Sequence, residues 1–269
     1  MQETNLRAGV SSACFFPMDT LHSVQKLTEW KVPNIEIFFN SFQELKPGYL
    51  EQLAECCRAS QTQVVSVHPF TSGSESFYFF TDYPGRIQDG LEIYRHFLHA
   101  ANYLGAQLLV FHGASVFSSL SMEKSAEHFY ALDRMAREEY GVTVAYENVV
   151  RSKSKEPDYL LELKQWYPQL ACVLDVKQAL RSGKDPLEYL EKLGDSIRHI
   201  HISDSDVQRD CLPIGQGTME WSALFEQLKQ QHFDGYIIQE LYSDSYQGQE
   251  EVLDGFRQLK NAMNRSKMF

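Results

Sequence analysis

The chain has 269 residues, of which 43% are hydrophobic and 23% are charged, and its formal net charge is −11. This composition is ordinary for a globular protein that is long enough to bury a sizeable core, and it argues against a disordered chain. An acidic surface repels phosphate backbones, and the sequence has no Lys/Arg-rich run, so we expect no nucleic-acid partner.

Eight short apolar runs recur along the chain, and most are nearly continuous rather than alternating. Such runs are typical of strands that are buried on both faces of a parallel sheet. In chain order they are LRAGVSSACF (after Asn5), NIEIFF (34–39), QVVSVHPF (63–70), AQLLVFHG (106–113), VTVAYENV (142–149), ACVLDVK (171–177), IRHIHISD (197–204) and GYIIQELY (235–242).

Helical segments, with apolar residues three or four positions apart, lie between these runs. Pro157 and Pro186 stand where a first helical turn should begin, and Gly105, Gly141 and Gly194 stand where helices should end. The predicted helices are LHSVQKLTEW, YLEQLAECCRAS, GRIQDGLEIYRHFLHAANYLG, SAEHFYALDRMAREEY, PDYLLELKQWY, DPLEYLEKL and WSALFEQLKQQ.

About eight alternations of strand and helix favour a closed (β/α)8 barrel over an open doubly wound sheet. No glycine-rich dinucleotide-binding fingerprint follows the first strand, which also argues against a Rossmann fold. No linker or change of composition divides the chain. We therefore predict a single TIM-barrel domain over residues 1–269.

The segment PFTSGSESFYFFTDYPG (69–85) is unusually long and aromatic for a connection. It is either a surface loop with a local hydrophobic cluster or a lid in which Phe77, Tyr78, Phe79 and Phe80 shield a substrate. We expect the lid, because long loops in compact folds are often functional.

The cysteines and the chain ends bear on the compartment. The five cysteines are odd in number and form no C-x-x-C pair, which argues against a disulfide framework or a structural zinc site. The amino terminus lacks the pattern of a signal peptide, and no apolar run approaches about 18 residues, the length of a membrane span. We expect a protein of the cytoplasm that does not cross a membrane.

Polar residues collect where the predicted strands end, which is where active sites of such barrels lie. Within IRHIHISD, His199 and His201 share one face of the strand. His201 is nearer the carboxyl end and is the better ligand, whereas His199 lies deeper and is expected to be a hydrogen-bonded structural residue. The polar residues at strand ends are His68, His112, Glu147, Asn148, Asp175, His201, Asp204, Gln239 and Glu240.

Four of these residues, on four successive strands, predict a metal site. Buried carboxylates without partners have to become protonated or find a cation. The alternative is that each acid pairs separately with an arginine or a lysine. A set of three carboxylates and one imidazole suits one divalent ion, Mn²⁺, Mg²⁺, Co²⁺ or Zn²⁺. The predicted ligands are Glu147, Asp175, His201 and Glu240.

Seven short motifs, in order and over nearly the whole chain, resemble those of the xylose-isomerase-like TIM barrels: SVHPF, VFHGA, AYENV, VLDVKQA, HIHISDSD, LPIGQGTMEW and IIQELY. That superfamily includes sugar phosphate isomerases and epimerases, ketose 3-epimerases and apurinic-site endonucleases. The resemblance implies that the metal ligands are Glu147, Asp175, His201 and Glu240. It also implies that Glu147 and Glu240 act as an acid/base pair on opposite faces of the substrate, with a metal-stabilised enediolate between the two proton transfers.

The sequence departs from the family pattern at three positions. Gln178 stands where the family has a histidine three residues after the strand-six aspartate, and Leu212 stands near a histidine of the endonuclease branch. Val207 stands where the 3-epimerases carry an arginine, for which Arg209 is a candidate substitute. Substrate contacts are expected from His68, His112, Gln178 and Arg209.

We therefore expect a metal-dependent isomerase or epimerase whose partner is a small carbohydrate, namely a sugar, a sugar phosphate or an inositol-like polyol. The alternatives are a related lyase or dehydratase such as an inosose dehydratase, an endonuclease-type phosphodiesterase, and a barrel that binds a ligand without turnover. The sequence leaves open whether the chain forms a homo-oligomer and whether IGQG (214–217) holds an anion or is a turn.

Overall fold

Eight parallel strands close into a barrel in which each strand pairs with its neighbour in sequence and the last pairs with the first. The computed structural model describes residues 6–265. The predicted (β/α)8 barrel is confirmed, whereas the assignment of residues 1–5 and 266–269 to it lies outside the described residues. The strands are β1 (Arg7–Ser11), β2 (Asn34–Phe39), β3 (Gln63–Pro69), β4 (Leu108–Phe111), β5 (Thr143–Glu147), β6 (Ala171–Asp175), β7 (Ile197–Ile202) and β8 (Tyr236–Gln239).

Helices connect the strands, and several begin and end at the predicted signals. Pro157 and Pro186 occupy the first turns of their helices, and Gly105 and Gly141 end theirs in the left-handed conformation. No helix of residues 6–265 has both the length and the apolar character that a membrane crossing requires. The helices are α1 (Thr20–Glu29), α2 (Pro47–Ser60), α3 (Glu75–Phe79), α4 (Arg86–Leu104), α5 (Met122–Tyr140), α6 (Pro157–Trp166), α7 (Val176–Arg181), α8 (Pro186–Leu193), α9 (Trp221–Gln230) and α10 (Glu250–Arg265).

Two predicted strand ends were wrong, and one helix was missed. β1 ends at Ser11, and a short 3₁₀ helix follows it. β6 ends at Asp175, because the Asp175 side chain accepts a hydrogen bond from the Gln178 backbone N–H at 2.9 Å and so caps α7. Helix α10 was not predicted, although its buried residues recur at helical spacing.

The predicted lid is wrong for two of its four aromatic residues. Phe79 and Phe80 are buried in the core rather than poised over a substrate, and both rings lie against Phe111, at centroid distances of 5.6 and 6.0 Å. Phe77 is 52% exposed and lies beneath the Arg86 guanidinium. Phe79, at the end of α3, and Phe80, directly after it, therefore attach this segment to the barrel.

The interior of the barrel is apolar on one side and polar on the other. An apolar cluster in the barrel wall is made by Leu108, Val110, Ala145, Ala171 and Val173. Glu36, Ser66 and His199 are also buried, although branched apolar side chains usually fill a TIM barrel. Register shifts in the β2–β3 and β6–β7 ladders lie next to Glu36 and His199. Such bulges re-aim neighbouring side chains.

Candidate metal centre

The four predicted ligands converge at the carboxyl end of the barrel. Glu147 ends β5, Asp175 ends β6, His201 lies near the end of β7 and Glu240 follows β8. One donor atom from each lies within 4.8 Å of the others, and all four residues are buried. The convergence arises because parallel strands bring their carboxyl ends to one edge of a barrel.

Both ring nitrogens of His201 contact carboxylates. Its Nδ1 lies 2.7 Å from Glu147 Oε1, and its Nε2 lies 3.0 Å from Glu36 Oε2. Burial alone would lower the pKa of His201, but Glu36, Glu240 and Glu147 raise it well above its usual value. With Nε2 bonded to Glu36, Nδ1 is the nitrogen nearer to Glu147, and a metal could replace the proton on Nδ1, as in a carboxylate–histidine–metal arrangement.

Glu36 is a site residue that sequence reasoning missed. Its Oε2 accepts a hydrogen bond from Ser66 Oγ at 2.8 Å and lies 3.2 Å from His199 Nε2. His199 is therefore the buried, hydrogen-bonded residue that was predicted, and burial lowers its pKa. The available signal was a lone acid within the otherwise apolar run NIEIFF, since a buried acid needs a partner.

Two histidines lie beside Glu147. His112 Nε2 is 2.8 Å from Glu147 Oε2 and 3.1 Å from His68 Nε2. Burial would raise the pKa of Glu147, but His112 and His201 hold it well below its usual value. His68 is buried, and its ring lies 4.6 Å from the ring of Phe38. Glu147 is thus kept as a carboxylate with imidazoles on two sides.

Lys177 is the second site residue that was missed. Its buried ammonium lies 3.0 Å from Glu240 Oε2 and 3.4 Å from Asp175 Oδ2, so a lysine partner for two of the acids is present. Burial would raise the pKa of Glu240, but Lys177 and His201 lower it. Burial raises the pKa of Asp175 to about 6, with Glu147 and Glu240 acting in the same direction against Lys177. The signal was a lysine inside the apolar run VLDVKQA.

The donor set fits a divalent metal. Two further groups of candidate ligands overlap with these four residues. His68–His112–Glu147 shares Glu147 with them, and Glu36–His199–His201 shares His201, so the three groups form one connected cluster. Three carboxylates and one imidazole nitrogen suit Mn²⁺, Mg²⁺, Co²⁺ or Zn²⁺. These residues could hold such an ion without rearrangement of the barrel.

A cavity of about 600 Å³ opens next to the cluster. Glu240 lines it, and aromatic side chains form much of its wall: Phe16, Phe38, Phe70 and Tyr242. Because Phe38 also packs against His68, the cavity and the cluster share a wall.

The family model described as xylose isomerase-like TIM barrel matches residues 24–262. The chain belongs to this family. The protein MJ1311 of Methanocaldococcus jannaschii is 25% identical over 87% of this chain and 83% of its own length. Fructoselysine 3-epimerase of Escherichia coli O157:H7 is 33% identical over 28% of this chain and 27% of its own length. Inosose dehydratase of Clostridium perfringens is 26% identical over 50% of this chain and 52% of its own length.

Solved structures of the xylose isomerase-like family share the fold. A structure described as a D-tagatose 3-epimerase-like protein superimposes with a TM-score of 0.81, over 98% of this chain and 99% of that chain, at 21% identity. At this identity the likeness shows the fold alone. The predicted membership of the xylose isomerase-like barrels is confirmed.

Two residues that were predicted to contact substrate form hydrogen bonds or ion pairs within the protein. The side-chain Oε1 of Gln178 accepts a hydrogen bond from the Val150 backbone N–H at 3.1 Å. Arg209 lies on an exposed loop, 2.8 Å from the Asp206 carboxylate, and lines a neighbouring cavity that shares Tyr242 with the first. Their contact with a substrate stays a prediction.

Three other strand-end residues hold the backbone in place. Asn148 exchanges two hydrogen bonds with the Asp175 backbone, at 2.9 and 2.7 Å. Asp204 accepts a hydrogen bond from the Gly215 N–H at 2.8 Å, so IGQG is a turn organised by that carboxylate. Gln239 donates to the Val252 carbonyl at 2.8 Å and faces α10. None of these three belongs to the groups of candidate metal ligands among the described residues.

Glu75 was not predicted as a site residue, and it holds the backbone next to His112. It is fully buried on α3, and its Oε2 accepts a hydrogen bond at 2.6 Å from the backbone N–H of Gly113, the residue after His112. Its other oxygen bonds with the Tyr94 hydroxyl. Burial raises the pKa of Glu75 from 4.5 to about 8, so the folded protein holds this acid protonated at neutral pH.

Glu75→Gln should flatten the pH dependence of stability between about pH 5 and pH 8. A raised pKa means that the native state binds the proton more tightly, so the contribution of Glu75 to stability falls as pH rises through this range, by roughly 1.4 kcal/mol per pH unit. Glutamine mimics the protonated acid and removes this slope. The free energy of unfolding from urea titrations at several pH values measures the difference, and equal slopes in both proteins would contradict the raised pKa.

Proposed function

We propose that the protein is a metal-dependent isomerase or epimerase that acts on a sugar, a sugar phosphate or a polyol by a proton shift next to a carbonyl. The observation that carries this proposal is the convergence of Glu147, Asp175, His201 and Glu240 within 4.8 Å at the carboxyl end of the barrel. A divalent metal held by these residues would polarise a carbonyl and stabilise the negative charge that develops when the adjacent carbon loses its proton.

Glu147 and Glu240 are the proposed acid and base. They are carried by β5 and β8, which two other strands separate in the barrel, so their carboxylates approach the centre from different sides. His112 and His201 keep Glu147 ionised, and Lys177 keeps Glu240 ionised. One carboxylate then removes a carbon-bound proton from one face and later releases it to solvent. The other takes up a solvent proton and delivers it to the opposite face, which inverts that carbon.

The proposed substrate is a small keto-sugar or keto-polyol. The cavity beside Glu240 is large enough for such a molecule, and the imidazoles of buried His68 and half-buried His112 could form hydrogen bonds with its hydroxyl groups. The similarity to a fructoselysine 3-epimerase and to inosose dehydratases supports a substrate with a carbonyl next to a carbon that bears a hydroxyl group.

A dehydratase is the second candidate, and the match to inosose dehydratase over half of the chain favours it. The first step is the same removal of a proton next to a carbonyl. The reaction then expels hydroxide from the neighbouring carbon instead of returning a proton. The product of a dehydratase lacks one water, whereas the product of an epimerase has the mass of its substrate.

The test begins with metal content and continues with isotope exchange. We expect about one divalent ion per chain after incubation with Mn²⁺ and removal of excess, measured by elemental analysis. A panel of ketoses and inososes should then yield a product that carries solvent deuterium at the inverted carbon when the reaction runs in D₂O. Binding of no divalent ion, or turnover without solvent deuterium, would contradict the proposal, and loss of water would select the dehydratase.

A further inference from the structure

The Lys177 ammonium lies inside the cluster that is proposed to hold the metal. It is 3.0 Å from Glu240 Oε2 and 3.4 Å from Asp175 Oδ2, and both of these acids are proposed metal ligands. The side chain is 2% exposed, so water does not screen its charge. The ion pairs therefore bring a fixed positive charge to two of the three carboxylates.

Tyr242 keeps the ammonium in place. Lys177 Nζ lies 4.4 Å from the centre of the Tyr242 ring, which is the distance of a cation–π contact. Arg181 approaches the same ring to 5.1 Å and pairs with Asp210. Lys177 thus contacts one aromatic ring and two carboxylates, and its side chain is almost fully buried.

The charges of the cluster explain why a lysine belongs there. Glu147, Asp175 and Glu240 together carry three negative charges when ionised. A divalent metal would supply two positive charges and Lys177 supplies one, which together match the charge of these three carboxylates. Without the lysine, Asp175 and Glu240 would lose the buried cation that lies against both of them.

We propose that Lys177 is a positioning residue that shares Asp175 and Glu240 with the divalent metal, holding both carboxylates in place and weakening metal binding by its own charge. This inference rests on the proposed metal centre. The lysine orients the two acids when no ion is bound, and it repels the ion when one enters. The metal therefore binds less tightly than it would without the lysine, but the carboxylates of Asp175 and Glu240 are already in position before it binds.

The test compares Lys177→Met with wild type by calorimetric titration of Mn²⁺ into the metal-free protein. Methionine keeps most of the length of the side chain and removes the charge. We expect Mn²⁺ to bind about 10-fold more tightly or better, because a unit charge a few ångströms from a dication in a buried site is a strong repulsion. Equal or weaker binding would overturn the inference.

Two control variants separate charge from shape. Lys177→Arg keeps the positive charge and should bind Mn²⁺ with an affinity close to that of wild type. Arg181→Met removes a second cation that lies over the Tyr242 ring and has Asp210 as its partner, and it should leave the Mn²⁺ affinity unchanged. A comparable gain of affinity in the Arg181 variant would show a general effect of net charge and would overturn the role of Lys177.

A second readout covers the case of a poorly folded variant. The metal-free Lys177→Met protein should melt at a lower temperature than wild type, because its carboxylates have lost their partner. Saturation with Mn²⁺ should then raise its melting temperature more than it raises that of wild type. An equal or smaller rise would overturn the inference. If wild type itself binds no Mn²⁺, the proposed function fails, whereas ordinary binding by wild type with no gain in the variant rejects this inference alone.

Discussion

Replacing Glu147 or Glu240 by glutamine should lower the turnover of the active ketose by about 100-fold or more. Glutamine keeps the volume of the side chain but cannot accept a proton from carbon. The loss should appear in kcat and not only in KM, because the two carboxylates are proposed to act in the proton-transfer step. Steady-state kinetics with the substrate found in the panel measures the effect.

The metal content of both glutamine variants has to be measured alongside their rates, since each residue is also a proposed ligand. Asp133→Asn is a matched control, because Asp133 is a buried acid that lies outside the cluster. Its carboxylate accepts a hydrogen bond from the Val144 N–H at 2.8 Å. It should lower stability and leave turnover per folded molecule unchanged. Full activity in both glutamine variants with metal still bound would mean that other residues carry the proton.

The four proposed ligands could be predicted because the topology alone brings them together. Each stands at the carboxyl end of an apolar run, and a barrel places all such ends around one mouth. No side-chain detail is needed for that step. The same reasoning located His68 and His112, whose rings meet Glu147 from β3 and the end of β4.

Glu36 and Lys177 could not be placed in this way. Glu36 lies in the middle of β2, and it reaches His201 on the far side of the barrel only because of the stagger of the strands and a register shift beside it. Lys177 lies in the first turn of α7, so its direction depends on where β6 ends. The sequence pattern does not determine that boundary, and ACVLDVK was read as one continuous strand.

The aromatic segment after β3 shows a different limit. Phe77 and Phe79 belong to the same short helix, and one is exposed whereas the other is fully buried. Composition alone does not distinguish aromatic residues that cover a substrate from those that fill a core, because both need a large apolar surface. The position of α3 depends on a tertiary hydrogen bond, in which the buried Glu75 carboxyl group accepts from the Gly113 N–H just after β4.

Glu36→Gln should weaken Mn²⁺ binding by about 10- to 100-fold, which is the usual cost of losing a partner that orients a metal ligand. In wild type, the Glu36 carboxylate lies against Nε2 of His201, where it can accept the Nε2 proton, so a metal could replace the proton on Nδ1. A glutamine amide can donate to Nε2 instead, which moves the proton to Nδ1 and removes the lone pair. Calorimetric titration of Mn²⁺ measures the change.

Ser66→Ala is the matched control for this effect. The Ser66 hydroxyl donates to the same Glu36 oxygen at 2.8 Å but does not touch His201, so its loss should weaken Mn²⁺ binding much less. The loss of the Glu36 charge should also weaken Mn²⁺ binding, because removing a negative charge near the site disfavours a bound cation. It therefore adds to the effect of the changed His201 tautomer. The Glu36 and Lys177 variants should therefore shift the Mn²⁺ affinity in opposite directions. A Glu36→Gln protein that binds Mn²⁺ as tightly as wild type would show that Nδ1 of His201 does not need this carboxylate to serve as a ligand.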